Sequence, residues 1–139
     1  SAAVWAELNQ PRRLTVDNDI ALPVNKVVHL LVTSNDVIHS WTIPSFGVKM
    51  QAVPGRTAAL WFKPDKVGTF HGQCSVLCGK LHSAMPITVR VVEQAVYDQW
   101  VAALTAKDRK KANEILKADA ERSKANPAVA QVETTQAQP

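Results

Sequence analysis

Between Arg12 and Val92 the apolar residues come in short runs separated by turn-forming clusters. The runs are RRLTV, DNDIALPV, KVVHLLVT, VIHSWTI, RTAALWF, VGTFHG and PITVRVV, all rich in the β-branched residues that favour strands. In KVVHLLVT, Val28, Leu30 and Val32 share one face, and Val27, His29, Leu31 and Thr33 share the other. The first set is expected to face a core. Pro23, Pro44, Pro54, Pro64 and Pro86 punctuate the runs and exclude a continuous helix here. About seven strands at this spacing predict an all-β fold, an antiparallel sandwich or barrel.

The period changes after Val92. EQAVYDQWVAAL predicts a short helix, with Val96, Trp100 and Leu104 four apart on one face. KDRKKANEILKADAERSK predicts a second, solvated helix whose thin apolar face (Ile115, Leu116) gives it only marginal packing. The closing ANPAVAQVETTQAQP is expected to be disordered. The expected organisation is a lead-in over 1–11, a β domain over 12–93, a helical extension over 94–124 and a tail over 125–139, with no internal repeat.

Composition agrees with a single globular domain: 139 residues, 46% hydrophobic and 20% charged. No stretch approaches the roughly 20 apolar residues that cross a bilayer. The opening SAAVWAELNQ has neither the basic nor the apolar part of a signal peptide, so a mature product or a fragment of a longer chain is expected. The net charge of +4 raises the question of nucleic acid. Residues 1–100 hold 9 Lys/Arg against 7 Asp/Glu, whereas residues 101–124 hold 7 against 4. The excess is thus concentrated in the predicted helical extension, interleaved with acids, and no basic face with stacking aromatics accompanies it. No nucleic-acid partner is expected.

The chemistry-bearing stretch runs from His71 to Pro86, HGQCSVLCGKLHSAMP. It contains Cys74, Cys78, His82 and Met85 in the pattern C-x3-C-x3-H-x2-M. Thiolate and thioether are soft donors and imidazole is intermediate, a set that favours copper over magnesium, calcium or manganese. A mononuclear blue-copper site needs one cysteine; here a second is present, and two thiolates can each bridge two copper ions. Such a site needs another histidine. His39, 35 residues before Cys74 and at the end of a predicted strand, meets that need. His29 is expected to face solvent in mid-strand, and His71 to be a partly buried structural residue. On the cysteines alone, a Cys74–Cys78 disulfide remains open.

At these residues the sequence resembles the extramembrane copper domain, the CuA domain, of cytochrome c oxidase subunit II. The resemblance covers about Arg12 to Val92 and rests on RRLTVDN, VTSNDVIHSW, IPSFGVK, AVPGR and GQCSVLCGKLHSAMPI. It implies a cupredoxin-like Greek-key sandwich at the extracytoplasmic face of an energy-transducing membrane. It implies two copper ions in a dinuclear CuA centre, electrons from cytochrome c, and onward transfer to haem in subunit I, where oxygen reduction takes place. Cys74 and Cys78 would bridge the metals; His39 and Met85 would complete one copper, and His82 and the Val76 carbonyl the other.

Three features depart from the family pattern. Val76 stands where the family usually has a glutamate that helps hold magnesium at the subunit I boundary, and a backbone carbonyl is indifferent to that change. Gln51 replaces an aspartate. The two membrane helices and the aromatic entry segment are not in this sequence, and Trp5 is too near Arg12 to stand in for the entry tryptophan. A separate or removed membrane-anchoring segment is therefore expected. Other readings are the copper domain of nitrous-oxide reductase, a Sco-like copper chaperone using Cys-x3-Cys and a histidine, and a copper-free module like that of quinol oxidases. The DVIHSW and AVPGR flanks favour the oxidase over the first. The second needs βαβ units that the runs do not show, and the third would lack the ligands.

Overall fold

The computed structural model describes residues 16–80 and 82–125, and over them the chain forms seven strands, six of them on predicted runs. These are β1 (Ile20–Pro23), β2 (Val28–Val32), β3 (His39–Ile43), β4 (Val48–Ala52), β5 (Ala58–Phe62), β6 (Gly68–Gln73) and β7 (Pro86–Val92). Two helices follow, α1 (Gln94–Thr105) and α2 (Arg109–Ala125). The expected all-β fold with a helical C-terminal extension is what forms. The lead-in, most of RRLTV and the tail from 126 onward lie outside the described residues.

The strands pair as β1–β7–β6, β2–β5 and β3–β4. The β3–β4 hairpin is inserted in sequence between the paired strands β2 and β5, a non-sequential arrangement of the Greek-key kind. One pairing departs from the antiparallel expectation: β1 runs parallel to β7, Ile20 opposite Val89 and Pro23 opposite Val92. These strands come from opposite ends of the β region, so no tight turn constrains their direction. In β2 the expected faces hold, with Val32 buried and His29 and Leu31 exposed. Strand β4 was absent from the predicted set, although Val-Lys-Met-Gln-Ala alternates cleanly and buries its first, third and fifth residues more than the others. Its entry is a single turn, Pro44–Phe46, closed by Gly47 at φ 65°, whose N–H donates to the Pro44 carbonyl. That left-handed position favours glycine.

The core between the sheets is built on Leu22, Ile43, Phe62 and Val89, with Trp41, Phe46 and Phe70 packed against them. Phe46 bridges Phe62 and Phe70 with ring centroids 5.2 and 4.7 Å away, within the range of favourable tilted pairs. Fully burying Ile43 and Val89 contributes about 1.5–3 kcal/mol each.

The helices bury a second, smaller cluster of Ala21, Val92 and Leu116, joined by Val96, Tyr97 and Trp100. Two expectations are corrected here. Ala103, not Leu104, is the deeply buried residue late in α1, while Leu104 is 37% exposed. Nor is the packing of α2 marginal, because Ala112 and Leu116 are both buried. Counting only large apolar residues missed the alanines, which bury with no side-chain entropy cost. The turn between the helices puts Lys107 at φ 59°, and Asp108 caps α2 by accepting from the Lys111 N–H at 2.9 Å.

Candidate metal centre

Two elements far apart in sequence meet at one rim of the sandwich. Strand β3 opens with His39, and the β6–β7 connection carries Cys74 through Met85. Strand β3 lies against β6, and Gly72 makes the approach possible. A Cβ at that position would stand 2.0 Å from the Thr42 carbonyl oxygen and 2.5 Å from Ile43 Cδ1. The base of the loop is then closed by the Cys74 N–H donating to the Met85 carbonyl at 3.3 Å.

The donor atoms converge at this point. One donor atom each from His39, Cys74 and Cys78 falls within 4.8 Å of the others. The two sulfurs are 3.8 Å apart and unbonded. Cys78 Sγ is 3.5 Å from His82 Nδ1 and 3.3 Å from Met85 Sδ. Cys74 Sγ is 3.2 Å from the Val76 carbonyl oxygen. All six groups named from the sequence are thus drawn into one cluster. The rival histidines are elsewhere: His29 is exposed in β2 opposite Trp61, and His71 sits in β6 with Nδ1 3.4 Å from Thr88 Oγ1.

Several residues that sequence reasoning passed over shape the site. Asp36 accepts a hydrogen bond from His39 Nε2 at 2.8 Å, which fixes the ring and leaves Nδ1 turned inward. That buried Nδ1 has no hydrogen-bond partner of normal geometry among the described residues, although the Cys74 sulfur lies beside the ring. The D-x-x-H spacing in DVIHSW was the available clue to Asp36. Ser40, Thr42 and Ser75 form a cluster of hydroxyls next to Cys74, and nothing in the sequence pattern marks them.

The electrostatics divide the two thiols. Burial pushes Cys74 up, but hydrogen bonding with the Val76 and Ser40 backbone, together with His39 and Cys78, outweighs it and brings the thiol down to about 6. Burial pushes Cys78 up, and the neighbouring Cys74 pushes it the same way. Asp36 raises His39, with help from Cys74, against the opposing effect of burial. Asp36 is itself lowered to about 2 by the Val37 backbone, His39 and Ser34. Cys74 is therefore shifted toward thiolate, the form that binds metal.

A soft, nitrogen-and-sulfur donor set with an unpartnered inward imidazole nitrogen fits copper. Comparison with known proteins agrees. Residues 4–92 match the family model described as "Cytochrome C oxidase subunit II, periplasmic domain". The chain belongs to the cytochrome c oxidase subunit II family. Among curated relatives, subunit 2 of Cereibacter sphaeroides is 56% identical over 88 residues, 63% of this chain and 29% of that protein. The Branchiostoma floridae subunit is 54% identical over 89 residues, 64% of this chain and 39% of that one. The chain thus spans about a third of the length of these relatives.

Among solved structures, the periplasmic domain of cytochrome oxidase subunit II from Bradyrhizobium japonicum superposes with a TM-score of 0.68 at 53% identity, covering 70% of this chain and 71% of that one. A second is a mixed disulfide intermediate between a thioredoxin-like protein and subunit II of cytochrome c oxidase. It has a TM-score of 0.61 at 52% identity, covering 70% and 69%. The fold is therefore the cupredoxin-like one of subunit II, in a copper-binding family. Among the described residues, no helix is long and apolar enough to cross a membrane.

Proposed function

We propose that this chain is the electron-entry domain of a haem–copper oxidase, holding two copper ions in a dinuclear CuA centre. Cys74 and Cys78 would hold both ions through their thiolates, and His39, His82, Met85 and the Val76 carbonyl would complete the set. The observation that carries this reading is the buried, unpartnered His39 Nδ1 beside Cys74 and Cys78, with His82 and Met85 against Cys78. When bound, such a pair of ions accepts and releases one electron at a time. The protein's part is to hold the donors still: Asp36 orients the His39 ring, and hydrogen bonding to the loop backbone fixes Cys74.

The electron donor is cytochrome c, and the acceptor is haem in subunit I, where oxygen is reduced. The domain works on the extracytoplasmic side of its membrane. The functional unit is residues 12–93, to which the helices over 94–124 are an appendage. Val76, in place of the usual glutamate, means that this chain gives no carboxylate to a magnesium ion at the subunit I boundary. The chaperone alternative is disfavoured, because the described residues hold no βαβ unit. The mixed disulfide formed by a similar subunit II supports a thiol-reduction step before metal uptake, since the two sulfurs here are 3.8 Å apart.

The test is copper loading of the fully reduced protein, followed by metal analysis and electron-spin-resonance spectroscopy. Two coppers per chain sharing one unpaired electron are expected. One copper per chain, or a spin localised on a single ion, overturns the reading.

A further inference from the structure

We infer that the hydroxyls of Ser40, Thr42 and Ser75 form a positioning device that locks the cysteine loop to β3 and fixes Cys74 and the Val76 carbonyl relative to His39. The inference rests on the dinuclear copper reading and deepens it.

The three oxygens form a closed triangle. Ser40 Oγ lies 2.7 Å from Thr42 Oγ1 and 2.7 Å from Ser75 Oγ, and Thr42 Oγ1 lies 3.0 Å from Ser75 Oγ. Each hydroxyl has one proton to give. Three protons fill three sides only if each hydroxyl donates to the next around the ring, and bonds in such a ring polarise one another. Residues two apart in a strand share a face, so Ser40 and Thr42 present a ready-made pair to the loop. Ser75 is the loop's reply.

The placement of these residues matters more than their energy. Ser75 lies between Cys74 and Val76, and Ser40 directly follows His39. The Ser40 N–H also donates to Cys74 Sγ at 3.4 Å, so Ser40 touches the loop through both backbone and side chain. His39 is the one proposed ligand outside the loop. Its distance from the others is set where β3 meets β6, and the triangle lies at that junction, above the close approach at Gly72. β3 and β6 are not partners in a backbone ladder, so the ladder itself does not fix their register at the site.

Ser75 is exposed, whereas Ser40 is almost fully buried at 2%. Removing the Ser75 hydroxyl leaves Ser40 paired with Thr42, so no buried group is orphaned and little stability is lost. Ser75→Ala therefore separates positioning from folding. Thr42→Val removes a hydroxyl at nearly constant shape, and Thr42→Ser restores it.

The test compares copper-loaded wild type, Ser75→Ala, Thr42→Val and Thr42→Ser by optical and spin-resonance spectra, reduction potential, rate of copper loss to a chelator, and melting temperature of the metal-free protein. For Ser75→Ala and Thr42→Val we expect altered hyperfine splitting, a shifted potential and copper loss faster by about 10-fold, the lower end for residues that orient metal ligands. Thr42→Ser should behave as wild type. Spectra, potential and chelator kinetics unchanged in both hydroxyl-deleting variants overturn the inference, and so does a lowered melting temperature as the sole effect. If Thr42→Val fails to fold, Ser75→Ala decides alone. A wild-type protein that lacks the two-copper spectrum brings down the functional reading, a result visible before any variant is compared.

Discussion

Gly72→Ala is expected to damage fold and site together, and its cost follows from the geometry. The added Cβ would meet the Thr42 carbonyl oxygen at 2.0 Å and Ile43 Cδ1 at 2.5 Å. Comfortable non-bonded separations are about 3.5 Å, so β6 and β3 would have to part by roughly 1–1.5 Å. Ile43 can turn its terminal methyl aside, but a backbone carbonyl of β3, a strand held by its ladder to β4, cannot. Overpacking of this kind costs about 1–3 kcal/mol, and a clash with backbone belongs at the upper end. For a domain of this size, about 3 kcal/mol lowers the melting temperature by roughly 10–15 °C. Gly47→Ala is the comparator: its Cβ meets nothing within 4 Å and only its φ of 65° resists, a penalty of about 1–2 kcal/mol. Urea unfolding of the metal-free proteins gives the two stabilities, and copper titration below the transition gives affinity per folded molecule. Gly72→Ala should be the less stable variant and the weaker copper binder, because the same displacement separates His39 from Cys74. Equal destabilisation by the two substitutions would refute the steric argument. Unchanged copper affinity in folded Gly72→Ala would refute the coupling of strand spacing to the site.

The thiols and the thioether should rank differently. Cys74→Ser or Cys78→Ser should abolish two-copper binding, whereas Met85→Leu should keep two coppers and mainly shift the potential, since a thioether is a weak donor; equal copper loss from Met85→Leu and Cys78→Ser, measured by metal analysis, would contradict this. Thiolate absorbance of the metal-free, reduced protein should rise in two separate steps, one near pH 6 for the pair's first proton and a second above 9. The unfolded chain still binds the first proton between these pH values while the folded one has lost it. The Cys74 contribution to stability should therefore climb from about pH 6 to about pH 9 and be gone below 6, while His39, whose pKa is raised, works the other way, its contribution being lost as pH rises through its folded value. A single thiolate step near 9 would refute the division. Finally, metal-free protein oxidised to the Cys74–Cys78 disulfide should take up no copper until a thiol reductant is added, as read by metal analysis after desalting.

Features with a local cause were the legible ones. The period-2 alternation in KVVHLLVT assigned Val32 to the core and left Leu31 in solvent, as found. The soft donors at Cys74, Cys78, His82 and Met85 could be named from the sequence because one short loop holds them. His39 was reachable only by asking what chemistry was still missing. Strand β4 was overlooked despite its alternation, because Lys49 and Gln51 dilute its apolar run and Gly47 and Pro54 bound it. The parallel β1–β7 pairing, the triangle of hydroxyls and the burial of Ala103 and Ala112 have no local cause. They arise where elements meet, and serine, threonine and alanine carry no pattern that announces a partner.

The division of donors between one loop and one strand has a thermodynamic consequence. Cys74, Val76, Cys78, His82 and Met85 lie within twelve residues, so even an unfolded chain can present several of them to a metal. His39 joins them only when β3 lies against β6. Copper therefore stabilises the native domain only by the excess of its native affinity over its affinity for the unfolded loop, and each 100-fold of that excess contributes about 2.7 kcal/mol. The Asp36–His39 hydrogen bond, the close approach at Gly72 and the hydroxyls around Ser75 all act on that excess. Each fixes His39 relative to the loop, and none strengthens the loop alone. A sandwich suits this task because its rim is where a strand end and a long connection come close, with the rigid ladders of both sheets behind them.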